Sequence, residues 1–66
     1  MVPLYSSVKI LSSGEIGVVV DAFQNGNETV YTVEVEKTYK HSHNRIKRIC
    51  KEEELEPMKV WFPAHQ

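Results

Sequence analysis

Cysteine occurs once in this chain, at Cys50, so no internal disulfide can form and a cysteine-based metal cluster is excluded. A lone thiol is the usage of a reducing compartment, and a cytoplasmic location is expected. No apolar run approaches the ~20 residues of a membrane span. The start, Met1-Val2-Pro3-Leu4-Tyr5, has neither the basic stretch nor the apolar stretch of a secretory signal. There are no internal repeats and no low-complexity segments. No nucleophile stands in a pattern with a base and an orienting acid, and 66 residues leave little room for a ligand-sized pocket. The chain therefore reads as a single small domain over residues 1–66, without enzymatic activity, cofactor, small-molecule substrate or membrane partner.

The longest β-favouring apolar run is Glu15-Ile16-Gly17-Val18-Val19-Val20-Asp21-Ala22-Phe23, bounded by Ser12-Ser13-Gly14 and Asn25-Gly26-Asn27. Three valines in a row are stiff at χ1 and suit a pleated surface. Gly17 inside that run points to a bulge or a close backbone approach. Asn25-Gly26 is a hairpin signal. After it, Thr29 to Glu36 alternates strictly, with Tyr31, Val33 and Val35 on one face and Thr32, Glu34 and Glu36 on the other.

Around this hairpin, Val8-Lys9-Ile10-Leu11 reads as a first short strand. Arg45-Ile46-Lys47-Arg48-Ile49-Cys50 reads as a returning strand. Ile46 and Ile49 have opposite parity, so this strand is expected to carry a bulge or an irregular rim. Glu52-Glu53-Glu54-Leu55 suits one 3₁₀ turn with its leucine plugging the core. Met58-Lys59-Val60-Trp61 reads as the last strand, stopped by Pro63, and Trp61-Phe62 as a cap on the open end or a landing site for a partner. The expected core is Val8, Ile10, Ile16, Val18, Val20, Tyr31, Val33, Val35 and Leu55.

Five short strands with a 3₁₀ turn before the last resemble the SH3-like small barrel, over about Val8 to Val60. Val8-Lys9-Ile10 followed by Gly14-Glu15-Ile16-Gly17-Val18-Val19 looks like the KOW pattern of a strand, a glycine turn and G-x-V-V. Tyr31-Thr32-Val33-Glu34-Val35 and Glu53-Glu54-Leu55-Glu56 look like the closing half of other bacterial small barrels. The strand spacing is similar to that of the ferredoxin-docking subunit of photosystem I. The resemblance implies an all-β fold, a five-stranded SH3-like barrel with a 3₁₀ turn before the last strand. It also implies binding of RNA or of ribosomal and transcription proteins. The basic residue that KOW domains carry beside the glycine turn is replaced here by Glu15. The aromatic-rich acidic loop of proline-peptide-binding SH3 domains is absent as well.

Charge is segregated along the chain. Lys37, Lys40, Arg45, Lys47, Arg48 and Lys51 lie in a segment with no acid; it sums to +6 and the rest to −7, for a net charge of −1. This makes a candidate contact arm of Lys37, Tyr39, Lys40, His41, His43, Arg45, Lys47 and Arg48. Its expected partner is nucleic acid, met through phosphates and base stacking. The alternative is an acidic surface of a larger protein. Cross-strand pairing with Glu34 and Glu36 is the competing, purely structural account of the charges, although Lys40 and Arg45 beside the tip have no carboxylate expected opposite them. His41, His43, Cys50 and His65 form an incomplete metal set, and no metal is expected.

Overall fold

The computed structural model describes residues 1–58. Its elements are β1 (Ser7–Ile10), β2 (Ile16–Asn25), β3 (Glu28–Tyr39), β4 (Ser42–Lys51), a 3₁₀ turn (Glu52–Glu54) and β5 (Leu55–Pro57). They form one antiparallel sheet in the order β4-β3-β2-β1-β5. Among the described residues no hydrogen bonds join the outermost strands, β4 and β5, so over these residues the sheet coils without closing and is a barrel only approximately.

The turns follow their local chemistry. Gly14, with φ 77°, lets the β1–β2 loop fold back so that its N–H meets the Ile10 carbonyl at 2.7 Å. Gly26, with φ 66°, makes the two-residue β2–β3 turn that Asn25-Gly26 announces. The β3–β4 turn is Lys40-His41, and Lys40 itself adopts a left-handed φ of 56°.

The core gathers on one face of the curled sheet, called inner below. β3 supplies Tyr31, Val33 and Val35; around them lie Val8, Ile10, Val19, Cys50 and Leu55, with Val2 from the N-terminal segment. Tyr31 is fully buried. Its hydroxyl accepts the Val2 N–H at 3.0 Å and points its own proton at Glu52 Oε1, 3.4 Å away. Each fully buried valine contributes roughly 1.5–3 kcal/mol relative to exposure.

Six of the nine expected core residues are buried: Val8, Ile10, Tyr31, Val33, Val35 and Leu55. Ile16, Val18 and Val20 are not, because β2 turns its other face inward. A side chain at position 17 would meet β3, since a Cβ on Gly17 would lie 2.5 Å from the Glu34 carbonyl. Gly17 and Val19 therefore face the core, while Ile16 and Val18 face solvent. The extra residue of the sheet is Val20, between the pairs Val19↔Val33 and Asp21↔Thr32.

The bulge anticipated in the returning strand is absent. β4 pairs with β3 without interruption from Val30↔Lys51 to Tyr39↔Ser42. The opposite parity of Ile46 and Ile49 is resolved by placing Ile49 outside and Cys50 inside. The last described strand begins at Leu55, the residue read as the end of the 3₁₀ turn. The expected strand Met58–Trp61 lies, after Met58, outside the described residues, as do Trp61-Phe62 and His65. No helix among the described residues is long and apolar enough to cross a membrane.

Candidate functional site: the β3–β4 arm

Past Val35 on β3 and Ile46 on β4, the hairpin runs beyond the core. From Glu36 to Arg45 every residue is exposed, on both faces of a two-stranded ribbon. Period-2 alternation then decides where each candidate side chain goes. Lys37, Tyr39 and Arg48 share the inner face with Val33 and Val35. His43, Arg45 and Lys47 share the outer face with Glu34 and Glu36, and Lys40 and His41 form the tip. The eight candidate residues thus lie on one arm but not on one surface.

On the inner face, Glu15 draws two of them together. It reaches over from the β1–β2 loop, accepting Arg48 Nε at 3.2 Å and Arg48 Nη2 at 3.1 Å, and pairing with Lys37 Nζ. The Ser13 hydroxyl donates to it at 3.0 Å. The Arg48 guanidinium, then Lys37 and Ser13, hold the Glu15 carboxyl down at about 2, and Glu15 raises Arg48 in return. The Glu15 side chain is only 12% exposed, so this acid is spent on the fold's own cations.

On the outer face the register sets Glu36 opposite Arg45 and Glu34 opposite Lys47. Arg45 therefore does have a carboxylate across from it, a correction to the sequence reading. Among the described residues, neither Arg45 nor Lys47 comes within 4 Å of a carboxylate, and neither does Lys40. Glu36 Oε2 lies instead 3.4 Å from His43 Nδ1, which also has Thr38 Oγ1 at 3.3 Å. Lys51, at the base of β4, pairs with Glu28 at 3.3 Å. At the tip, the Lys40 ammonium stands 5.4 Å from the centre of the Tyr39 ring, which is 70% exposed.

Two open grooves flank the arm. One, of about 400 Å³, has Val18, Val20 and Tyr5 against Glu34, Glu36 and Arg45 on the outer face. The other, of about 300 Å³, lies where the sheet fails to close, among Ile10, Ser13, Glu15, Arg48, Cys50 and Glu54. Cys50 faces the core and burial raises its thiol pKa. His43, on the opposite face of β4, cannot share a metal ion with it, and no group of three or more His, Cys, Asp or Glu among the described residues could hold one.

Sequence reasoning missed Glu15 as a partner of the arm. The signal available was an acid beside a glycine turn where the resembling family has a base, but only the coiling of the sheet brings position 15 to positions 37 and 48. No family model, curated protein or solved structure matches the chain.

Proposed function

We propose that this chain is a non-enzymatic binding module of the cytoplasm, built on an SH3-like barrel, that contacts a larger protein through the β3–β4 arm. The observation that carries the reading is the ribbon from Glu36 to Arg45, which extends past the core with both faces exposed. An isolated two-stranded ribbon is marginal in water, so ten residues of it add little to the domain's own stability. A partner gives that extension a use. The strand order, with β5 beside β1 after a 3₁₀ turn, supports the SH3-like assignment.

Protein is favoured over nucleic acid because the basic residues do not make one field. Lys37 and Arg48 are held by Glu15, Lys51 by Glu28, and Arg45 and Lys47 look across at glutamates. A phosphate backbone needs several unspent cations along one track. A mixed face with open cations beside carboxylates suits the complementary charges of a protein surface. One observation favours nucleic acid as a second reading: the exposed Tyr39 ring with Lys40 above it, beside His41, has the elements of a stacking platform.

The test is a pull-down from cell extract with the wild-type chain and with Lys40→Glu/Arg45→Glu. Exposed charges contribute little to folding, so the variant stays folded. It loses its protein partner by slower association. Equal recovery of the same partners removes the arm from the function. Salt-sensitive binding to single-stranded RNA, with a log–log slope that falls by about two at most when both residues become alanine, would restore the nucleic-acid reading.

A further inference from the structure

Among the described residues β4 is an edge strand guarded by its charged side chains alone. Edges are commonly kept short, broken by a bulge or blocked by proline. The other edge, β5, has three residues and ends in Pro57. β4 has ten residues, no proline and an uninterrupted register. In an antiparallel ladder alternate residues direct both backbone groups to the same side. The Lys51 N–H turns away from β3 to donate to Glu54 Oε1 at 2.7 Å, so the outward-directed residues of β4 are the odd-numbered ones. Below Lys51 these are His43, Arg45, Lys47 and Ile49, and among the described residues nothing pairs with their N–H and C=O groups.

We propose that this edge takes up an extended acidic segment of another protein as a sixth strand. The proposal rests on the reading of the arm as the contact surface and specifies what the arm holds. The four residues with open backbone groups also project their side chains together on the outer face. Arg45 and Lys47 at its centre have glutamates on the β3 side and no strand of the described residues on the other, while Ile49, 62% exposed, ends the row. A strand with acids at two alternate positions and an apolar residue two positions before them would set each cation between two carboxylates and cover Ile49. Main-chain hydrogen bonds would supply affinity and the alternate side chains the selection.

A second copy of this chain fits badly. Antiparallel pairing of two β4 edges in full overlap sets Arg45 against Lys47, and sliding by one step either way sets Arg45 against Arg45 or Lys47 against Lys47. Like charges directly opposite are destabilising. The same charges that prevent self-association select an acidic strand.

The experiment uses the full chain, ¹⁵N-labelled, and a blocked peptide Val-Thr-Glu-Thr-Glu-Thr-Ser as probe. Amide exchange is followed residue by residue. The expected result is that the amides of His43, Arg45, Lys47 and Ile49, fast in the free protein, slow by roughly tenfold or more at saturating peptide. The intervening amides of β4 are already held by β3 and change little. Arg45→Glu/Lys47→Glu should weaken peptide binding about tenfold, and Arg45→Gln/Lys47→Gln by less. N-methylation of the two glutamate amides of the peptide should abolish binding, since those amides face the edge. Equal binding of the N-methylated peptide overturns strand addition while leaving a charged contact arm. Absence of binding at millimolar peptide overturns it too, with the pull-down above deciding the arm separately. Protection already present in the dilute free protein would mean that the chain covers its own edge. Protection that grows with protein concentration alone would mean a second copy, and protection by an RNA oligonucleotide instead of the peptide would mean a different ligand; each overturns the proposal.

Discussion

Gly17→Ala is the sharpest test of how β2 sits in the sheet. A methyl carbon at position 17 would be placed 2.5 Å from the Glu34 carbonyl oxygen, 2.8 Å from Val33 Cγ1 and 3.0 Å from Val35 Cγ2. Non-bonded carbons settle at roughly 3.5–4 Å, so β3 must retreat by about an ångström or its valines leave their rotamers. Overpacking of this kind costs about 1–3 kcal/mol, and the backbone contact puts this site at the upper end. Loss of glycine's freedom in the unfolded chain returns about 0.4–1 kcal/mol. The net is a loss of about 1–2 kcal/mol, against roughly 3–10 kcal/mol for a domain of this length. At about 4–8 °C per kcal/mol, the melting temperature should fall by about 5–15 °C. Circular dichroism melts of both proteins at one pH and concentration measure it. A melting temperature within a degree of wild type, or above it, would refute the claim that β2 and β3 are in contact at this point.

The neighbouring valines give a second test: Val19→Ala should cost about 1–3 kcal/mol and Val18→Ala less than about 1 kcal/mol in urea titrations, because only Val19 is fully buried. The reverse order would return Val18 to the core. Acid stability should follow Glu15. Its carboxyl sits at about 2 in the folded chain against an ordinary 4.5, so its ion pairs stabilise fully above the ordinary value and are lost as pH falls from there towards 2. Glu15→Gln should lower the urea midpoint at pH 6 and flatten that acid limb; an unchanged limb would show the ion pairs of Glu15 with Arg48 and Lys37 to be without consequence. The Cys50 thiol, raised by burial, should react with a disulfide reagent at pH 8 far more slowly in buffer than in urea, and equal rates would place it at the surface.

Much of the fold was legible because turn chemistry and alternation agree. Asn25-Gly26 fixed the central hairpin, and the clean alternation from Thr29 to Glu36 told which side of β3 is dry. β2 was harder for a physical reason: valines occupy both parities from Val18 to Val20, so bulk does not distinguish the faces. The deciding residue is the one without a side chain, since β3 comes too near at Gly17 to admit one. In β4, two isoleucines of opposite parity concealed a regular strand whose buried member near its end is Cys50. The arm was read as one patch because its cations are adjacent in sequence. A strand separates adjacent residues onto opposite faces, and the acid that engages two of them arrives from 22 and 33 residues away, at Glu15. The first effect follows from the period of a strand; the second depends on the coiling of the sheet and has no local pattern.

The strand order also governs how the chain assembles. β1–β2, β2–β3 and β3–β4 are each neighbours in sequence joined by a short loop, so three of the four pairings can zip outward from their own turns at small loop-closure cost. Among the described residues only β1–β5 joins distant parts of the chain, and it does so with three residue pairs. β5 is therefore expected to dock late and open early: Leu55→Ala should mainly speed unfolding and Val33→Ala should slow folding in stopped-flow chevrons, and the reverse pattern would refute this order. In these terms β3 would be the clock of folding and β5 its latch.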